Sequence, residues 1–235
     1  MKTHLLLLIG LQFIGLCACT STSTQTRDDS YYQLDRPRGD QSGDLFSSQG
    51  DMSDAEIAKI LDYRLQLPTT SRLAILHLSA NSYWRFYSND FSKLNDAIAA
   101  NFIGTLQASN RIYDAAYLPA LLVPEQRTLP YLRAAAARYQ ADLLLLYRDQ
   151  CGSFEKYRVF AADETRAYCA VEAVMLDIRT GIIPFTGVAT ETFTAHKQKG
   201  DKNFYETIKQ AEFQALAKAL ERLATDLNRF LEWAS

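Results

Sequence analysis

The run Leu143-Leu144-Leu145-Leu146-Tyr147 is the tightest constraint on this chain. It has no polar residue to turn toward water, so as a strand it must be covered on both faces. The preceding sequence supplies the cover. Leu94, Ile98, Phe102, Ile103 and Leu106 recur at helical spacing, with Asp90 or Ser92 placed to start the helix. Leu129 to Tyr139 predicts a further helix, with Thr128 at its cap, Pro130 in its first turn, and Ala134 to Ala137 permitting close approach to a sheet. A second apolar run, Leu73 to Leu78, precedes both helices. Between them, Ile112 to Val123 is β-leaning but broken by Pro119, which predicts an irregular or edge strand. The order strand-helix-strand-helix-strand favours parallel pairing through crossovers.

The pattern then changes. Lys156 to Ala161 predicts a short strand, and Tyr168 to Ile178 and Ile182 to Ala195 are two longer β-like runs. Asp177-Ile178-Arg179-Thr180-Gly181 between the long runs predicts a hairpin turn, with Asp177 bonding the turn backbone and Gly181 taking positive φ. Phe204 to Trp233 is one long amphipathic helix that should cover a sheet face. At the other end, Ser53-Asp54-Ala55-Glu56 has the spacing of a capping box, followed by Ile57, Ile60, Leu61 and Leu65, and Pro68 closes that helix. The fold class expected is mixed α/β (α+β mixed). The architecture is a two- or three-layer mixed sheet, built from a strand-helix-strand-helix-strand half, an antiparallel hairpin and a long C-terminal helix. Residues 52–235 make one such domain.

The amino-terminal residues say where the protein lives. Met1-Lys2-Thr3-His4 precedes an apolar run from Leu5 to Leu16, the layout of a signal peptide and too short to cross a bilayer about 30 Å thick. The run ends Leu16-Cys17-Ala18-Cys19, which resembles the bacterial lipobox. That resemblance implies removal of residues 1–18 and acylation of Cys19, anchoring the protein to the lipid bilayer. Each buried CH₂ contributes about 0.8 kcal/mol, so two or more chains anchor stably. Cys17 is the rival position, but Leu16 before it is large for the cut; an ordinary cleaved signal is the remaining alternative. Thr20 stands where an Asp retains enterobacterial lipoproteins at the inner membrane, so the resemblance implies an outer-membrane protein facing the periplasm. Residues 19–51 are Ser/Thr-rich and charged, with few large apolar side chains, and read as a disordered tether. Lys and Arg number 25 against 27 Asp and Glu, for a net charge of −2. That balance, with the export signal, argues against nucleic acid as a partner.

The crossover half, the Leu176-to-Gly181 turn and the closing helix together resemble the periplasmic α/β domains of three envelope families. These are the curli-secretion lipoproteins, the outer-membrane activators of penicillin-binding proteins, and the amino-terminal domain of the Tol translocation protein. In those families the segments resembling Ala141 to Leu146 and Leu176 to Gly181 are a strand and a strand-to-strand turn. The resemblance implies a fold; the sequence lacks the extra amphipathic hairpins a curli-type pore would need.

Chemistry is sparse. No phosphate-binding loop, dinucleotide fingerprint, zinc-protease helix or nucleophile elbow is present. Of three histidines, His4 lies in the leader, His77 lies in a strand where packing or a hydrogen bond suits it, and His196 lies in a polar turn. These imply no metal and no cofactor. Cys151 and Cys169 either form a disulfide, which an oxidising compartment permits, or remain buried thiols. The loop Tyr83-Trp84-Arg85-Phe86-Tyr87 follows the first strand, where open α/β sheets place ligands, and Tyr, Trp and Arg suit a partner surface; core packing of these rings is the alternative. The sequence therefore suggests a non-enzymatic lipoprotein that binds, regulates or helps assemble another envelope protein. An oligomeric component of an envelope secretion machine and a cell-wall enzyme without a recognisable motif are the other two readings.

Overall fold

In a computed structural model, the described residues are 45, 52–64, 66–78, 89–158 and 161–234; side chains are described throughout these except at 89–92. The leader, Cys19 and the Tyr83–Tyr87 loop lie outside them. The elements are α1 (Asp54–Asp62), β1 (Ser71–His77), α2 (Asn89–Gln107), β2 (Ile112–Tyr117), α3 (Leu129–Arg138), β3 (Leu143–Lys156), β4 (Glu164–Asp177), β5 (Phe185–His196) and α4 (Phe204–Trp233).

One five-stranded sheet has the order β2-β1-β3-β4-β5. β1 pairs in parallel with β2 and β3, and β3-β4 and β4-β5 are antiparallel. β3 joins the two halves, and Leu143 to Leu146 are all but fully buried, as the apolar run demands. The odd-numbered Leu143, Leu145 and Tyr147 pack with α2 and α4, around Phe102, Leu106, Leu220 and Leu223. The even-numbered Leu144 and Leu146 pack with Leu132 and Ala136 of α3. This half is therefore three layers. Beyond α3 the sheet is covered by α4 alone, making two.

The sequence reading of β2 as an edge strand holds, and Pro119 ends it before a 3₁₀ turn at Ala120–Leu122. The capping box at α1 is present in both directions, Ser53 Oγ accepting from the Glu56 N–H and Glu56 accepting from the Ser53 N–H. Three expectations need correction. The helix after it stops at Asp62, well before Pro68, and Ile57, Ile60 and Leu61 remain exposed, so its apolar face packs on no described element. Thr128 makes no side-chain cap for α3; the Leu129 N–H is instead met by the Leu45 carbonyl at 2.8 Å. Leu45 also packs against the α3-side core, so the segment read as a tether touches the domain there.

The third correction concerns β3. The short strand expected at Lys156 to Ala161 is the end of a 14-residue strand. Pairing with β4 holds it extended, and within it Gly152 leaves room for the Tyr168 ring, since a Cβ there would sit 2.5 Å from the Tyr168 hydroxyl. At the β4-β5 connection, the Thr180 N–H donates to Asp177 Oδ2 at 3.0 Å and Gly181 has φ of 79°, the turn chemistry the sequence specified.

Two substitutions separate packed from unpacked apolar faces. Leu145→Ala should lower the free energy of unfolding by about 2–5 kcal/mol, through lost burial and a residual cavity. Ile57→Ala should change it by less than about 0.5 kcal/mol. Urea unfolding followed by circular dichroism reads both.

Candidate functional site

The carboxyl ends of the parallel strands carry a polar and aromatic cluster. β1 connects toward β2 on one side while β3 lies on the other, so the β1/β3 boundary is the switch point of the sheet. His77, the last residue of β1, lies opposite Tyr147 of β3. Their rings stack at 4.6 Å with 13° between planes. His77 Nε2 bonds to Asp149 Oδ1, two residues further along β3 on the same face. The Tyr147 hydroxyl meets the Tyr117 hydroxyl, from the end of β2, at 2.9 Å. Phe102 of α2 closes the cluster with an edge contact to Tyr147 at 5.7 Å. Three strands thus meet through four side chains. His77 is packed and bonded, as the sequence suggested. Sequence alone does not mark Asp149, Tyr147 and Tyr117 as one cluster, because strand register brings them together. The alternate spacing of Tyr147 and Asp149 was the available signal.

Burial pushes the Tyr147 phenol far above its ordinary value of 10.0, and the neighbouring Tyr117 and Asp149 add to the rise. Tyr117 is also raised, chiefly by burial. Both phenols therefore stay protonated as donors and acceptors, and cannot act as bases near neutrality.

A second candidate is the far half of the sheet. In β3, β4 and β5 the odd-numbered residues face α4, with Cys169, Val171 and Ala189 buried there. The even-numbered residues face the α3 side, beyond the reach of α3, and no helix among the described residues covers them. Phe154 is 57% exposed and Val188 68%. Phe154 and Tyr168 lie 5.7 Å apart. Arg148 Nε donates to Glu172 at 2.9 Å, and β5 adds a row of Thr186, Thr190, Thr192 and Thr194. Lys156, Glu164 and Arg166 lie on the same face, so it mixes rings, hydroxyls and charges.

Cys151 and Cys169 are directly opposite in the β3-β4 ladder and are joined by a disulfide in the structure. The long β3 places both cysteines mid-strand, where the bridge ties the hairpin beside α4. His196 ends β5 and is exposed. Among the described residues no group of three or more side chains is arranged to hold a metal ion, and no helix is long and apolar enough to cross a membrane.

No family model matches the sequence, and no curated protein matches it. Among solved structures, a hypothetical protein from Chlamydia trachomatis is similar over 69% of this chain and 98% of its own, at 12% identity and a TM-score of 0.42. A minor lipoprotein from Acinetobacter baumannii is similar over 71% and 92%, at 11% identity and a TM-score of 0.35. A lipoprotein from Neisseria meningitidis is similar over 63% and 99%, at 12% identity and a TM-score of 0.28. Likeness this slight transfers no function.

Two outcomes are expected. Unfolded tyrosines ionise near pH 10 while Tyr147 and Tyr117 resist, so their contribution to stability is complete below about pH 10 and falls as pH rises further. Tyr147→Phe should flatten that alkaline loss in urea titrations run from about pH 8 to 11. Reducing the Cys151–Cys169 bridge, which spans 18 positions in sequence, should lower stability by about 3 kcal/mol, read as a lower Tm in the presence of dithiothreitol.

Proposed function

We propose that this chain is a lipid-anchored, non-enzymatic lipoprotein of the bacterial cell envelope, held at the outer membrane through acylated Cys19. Its periplasmic domain binds and regulates another envelope protein. The observation that carries this reading is the uncovered half of the sheet. Phe154 and Val188, exposed beside Tyr168 and a row of β5 threonines, offer large apolar side chains to another protein, and Arg148, Arg166 and Glu172 on the same face add polar contacts. The Leu16-Cys17-Ala18-Cys19 lipobox supports the anchor. The aromatic stretch Tyr83-Trp84-Arg85-Phe86-Tyr87 is a second contact in this proposal, because it follows β1 in sequence and is rich in the residue types of interface hot spots. The His77–Asp149 pair serves here as a clamp between the ends of β1 and the parallel part of β3.

The test separates anchor from surface. Cys19→Ser should move the protein out of the membrane fraction; a processed, membrane-bound Cys19→Ser variant would refute the anchor. Crosslinking in intact cells should yield a partner with the natural chain and lose it in Phe154→Glu and Trp84→Ala, with melting temperatures unchanged. Loss of stability without selective loss of the crosslink would assign those rings to packing instead.

A further inference from the structure

The edge strand β5 is unusually open. It is the outermost strand, 12 residues long, and its register with β4 runs unbroken from Met175↔Phe185 to Glu164↔His196. An edge of this kind presents a row of N–H and C=O groups that proteins normally blunt with lysine, proline, a bulge or a short strand. β5 has no lysine or proline, no bulge, and Glu191 as its one acidic or basic residue apart from His196. The opposite edge, β2, is blunted: it has six residues and is followed by Pro119. No described strand lies against the outer side of β5. What fits a backbone row is another extended chain.

We propose that this chain is β5 of a second copy, paired antiparallel across a two-fold axis so that the two sheets become one. The strand is complementary to itself. With Thr190 opposite its own copy, the uncovered face pairs Thr186 with Thr194 and Val188 with Thr192. These are hydroxyl and β-branched pairs that stabilise antiparallel strands. On the α4 face each large residue meets a small one: Phe185 meets Ala195, Phe193 meets Gly187, and Glu191 meets Ala189. Sliding the copies to the register centred on Glu191 sets that carboxylate against itself, which disfavours it.

The charges beside the edge agree. Between β5 and α4 runs an open groove lined by Glu191, Glu221 and Asp226 and by Lys218, Arg222 and Arg229. Arg222 pairs with Glu191 at 3.2 Å and Arg229 with Asp226 at 2.9 Å. Acids and bases balance, so a two-fold that brings two such grooves together adds no net charge, and the two Glu191 carboxylates, diagonal across the pair, are each bonded to an Arg222 of their own chain. The pairing doubles the uncovered face and gives the assembly two lipid anchors; it stands whether or not that face binds another protein.

The experiment uses the mature chain with Cys19→Ser, which removes lipid-driven association and keeps the Cys151–Cys169 bridge. Sedimentation equilibrium over a concentration series should give twice the chain mass. Thr190→Cys should form a covalent dimer under mild oxidation, because directly opposed antiparallel residues lie about 4.5–5.5 Å apart at Cα. Leu121→Cys, at a side chain 99% exposed, should not. Thr190→Lys with Thr192→Lys should return the chain to a monomer with an unchanged circular dichroism spectrum. A monomer at every concentration would overturn the proposal. So would a dimer that resists the paired lysines and fails to crosslink at 190, or an open series of larger species. Protection of β5 only when a different protein binds would assign the edge to a foreign strand and also overturn it.

Discussion

Everything in this domain depends on burying Leu143 to Leu146 on both sides. A strand with apolar residues on each face has no stable position except in the middle of a sheet between helical layers. That requirement places β3 between β1 and β4 and draws α2 and α4 to one face and α3 to the other. β3 is also where parallel pairing gives way to antiparallel pairing. Its first five residues belong to the crossover half, and its remaining length, from Arg148 to Lys156, extends past α3 into water on one face. The two candidate sites follow from this one strand. Tyr147 and Asp149 lie where its double cover ends, and Phe154 lies where only α4 remains.

The sequence was most legible where a single rule decided the outcome. Phe204 to Trp233 forms one helix with the bounds its periodicity gave, and the turn at Asp177 to Gly181 uses the side chain and the positive φ that the residue types imply. It was less legible where a neighbour distant in sequence decides. Residues 148 to 156 mix polar and small side chains, so nothing local marks them as strand; pairing with β4 and a bridge from Cys151 to Cys169 hold them there. Thr128 has the composition of a cap, yet the carbonyl that meets the first N–H of α3 comes from Leu45, more than eighty positions away. The exposed face of α1 shows the converse: its periodicity and capping box specify a helix, and neither specifies a partner for it.

The candidate site was legible in part. His77 was singled out from sequence, but its meaning depends on Asp149 and Tyr147, which only strand register brings beside it. The uncovered face could not be read at all, because whether a strand face is covered depends on how far α3 reaches across the sheet. Length decides this: α3 has 10 residues against 30 in α4, so one side of the hairpin is shielded along its length and the other is left open. A domain open on one side is a geometry suited to meeting other proteins.

The central claim is that this open face is occupied in the envelope. Hydroxyl-radical footprinting of the protein in isolated native membranes, compared with the purified protein, tests it at the side chains themselves. The account predicts that Phe154, Tyr168 and Val188 are labelled in the purified protein and shielded in membranes, while Leu121 and Tyr113, on the far side of the sheet order, are labelled equally in both. Equal labelling of Phe154, Tyr168 and Val188 in the two preparations would contradict it.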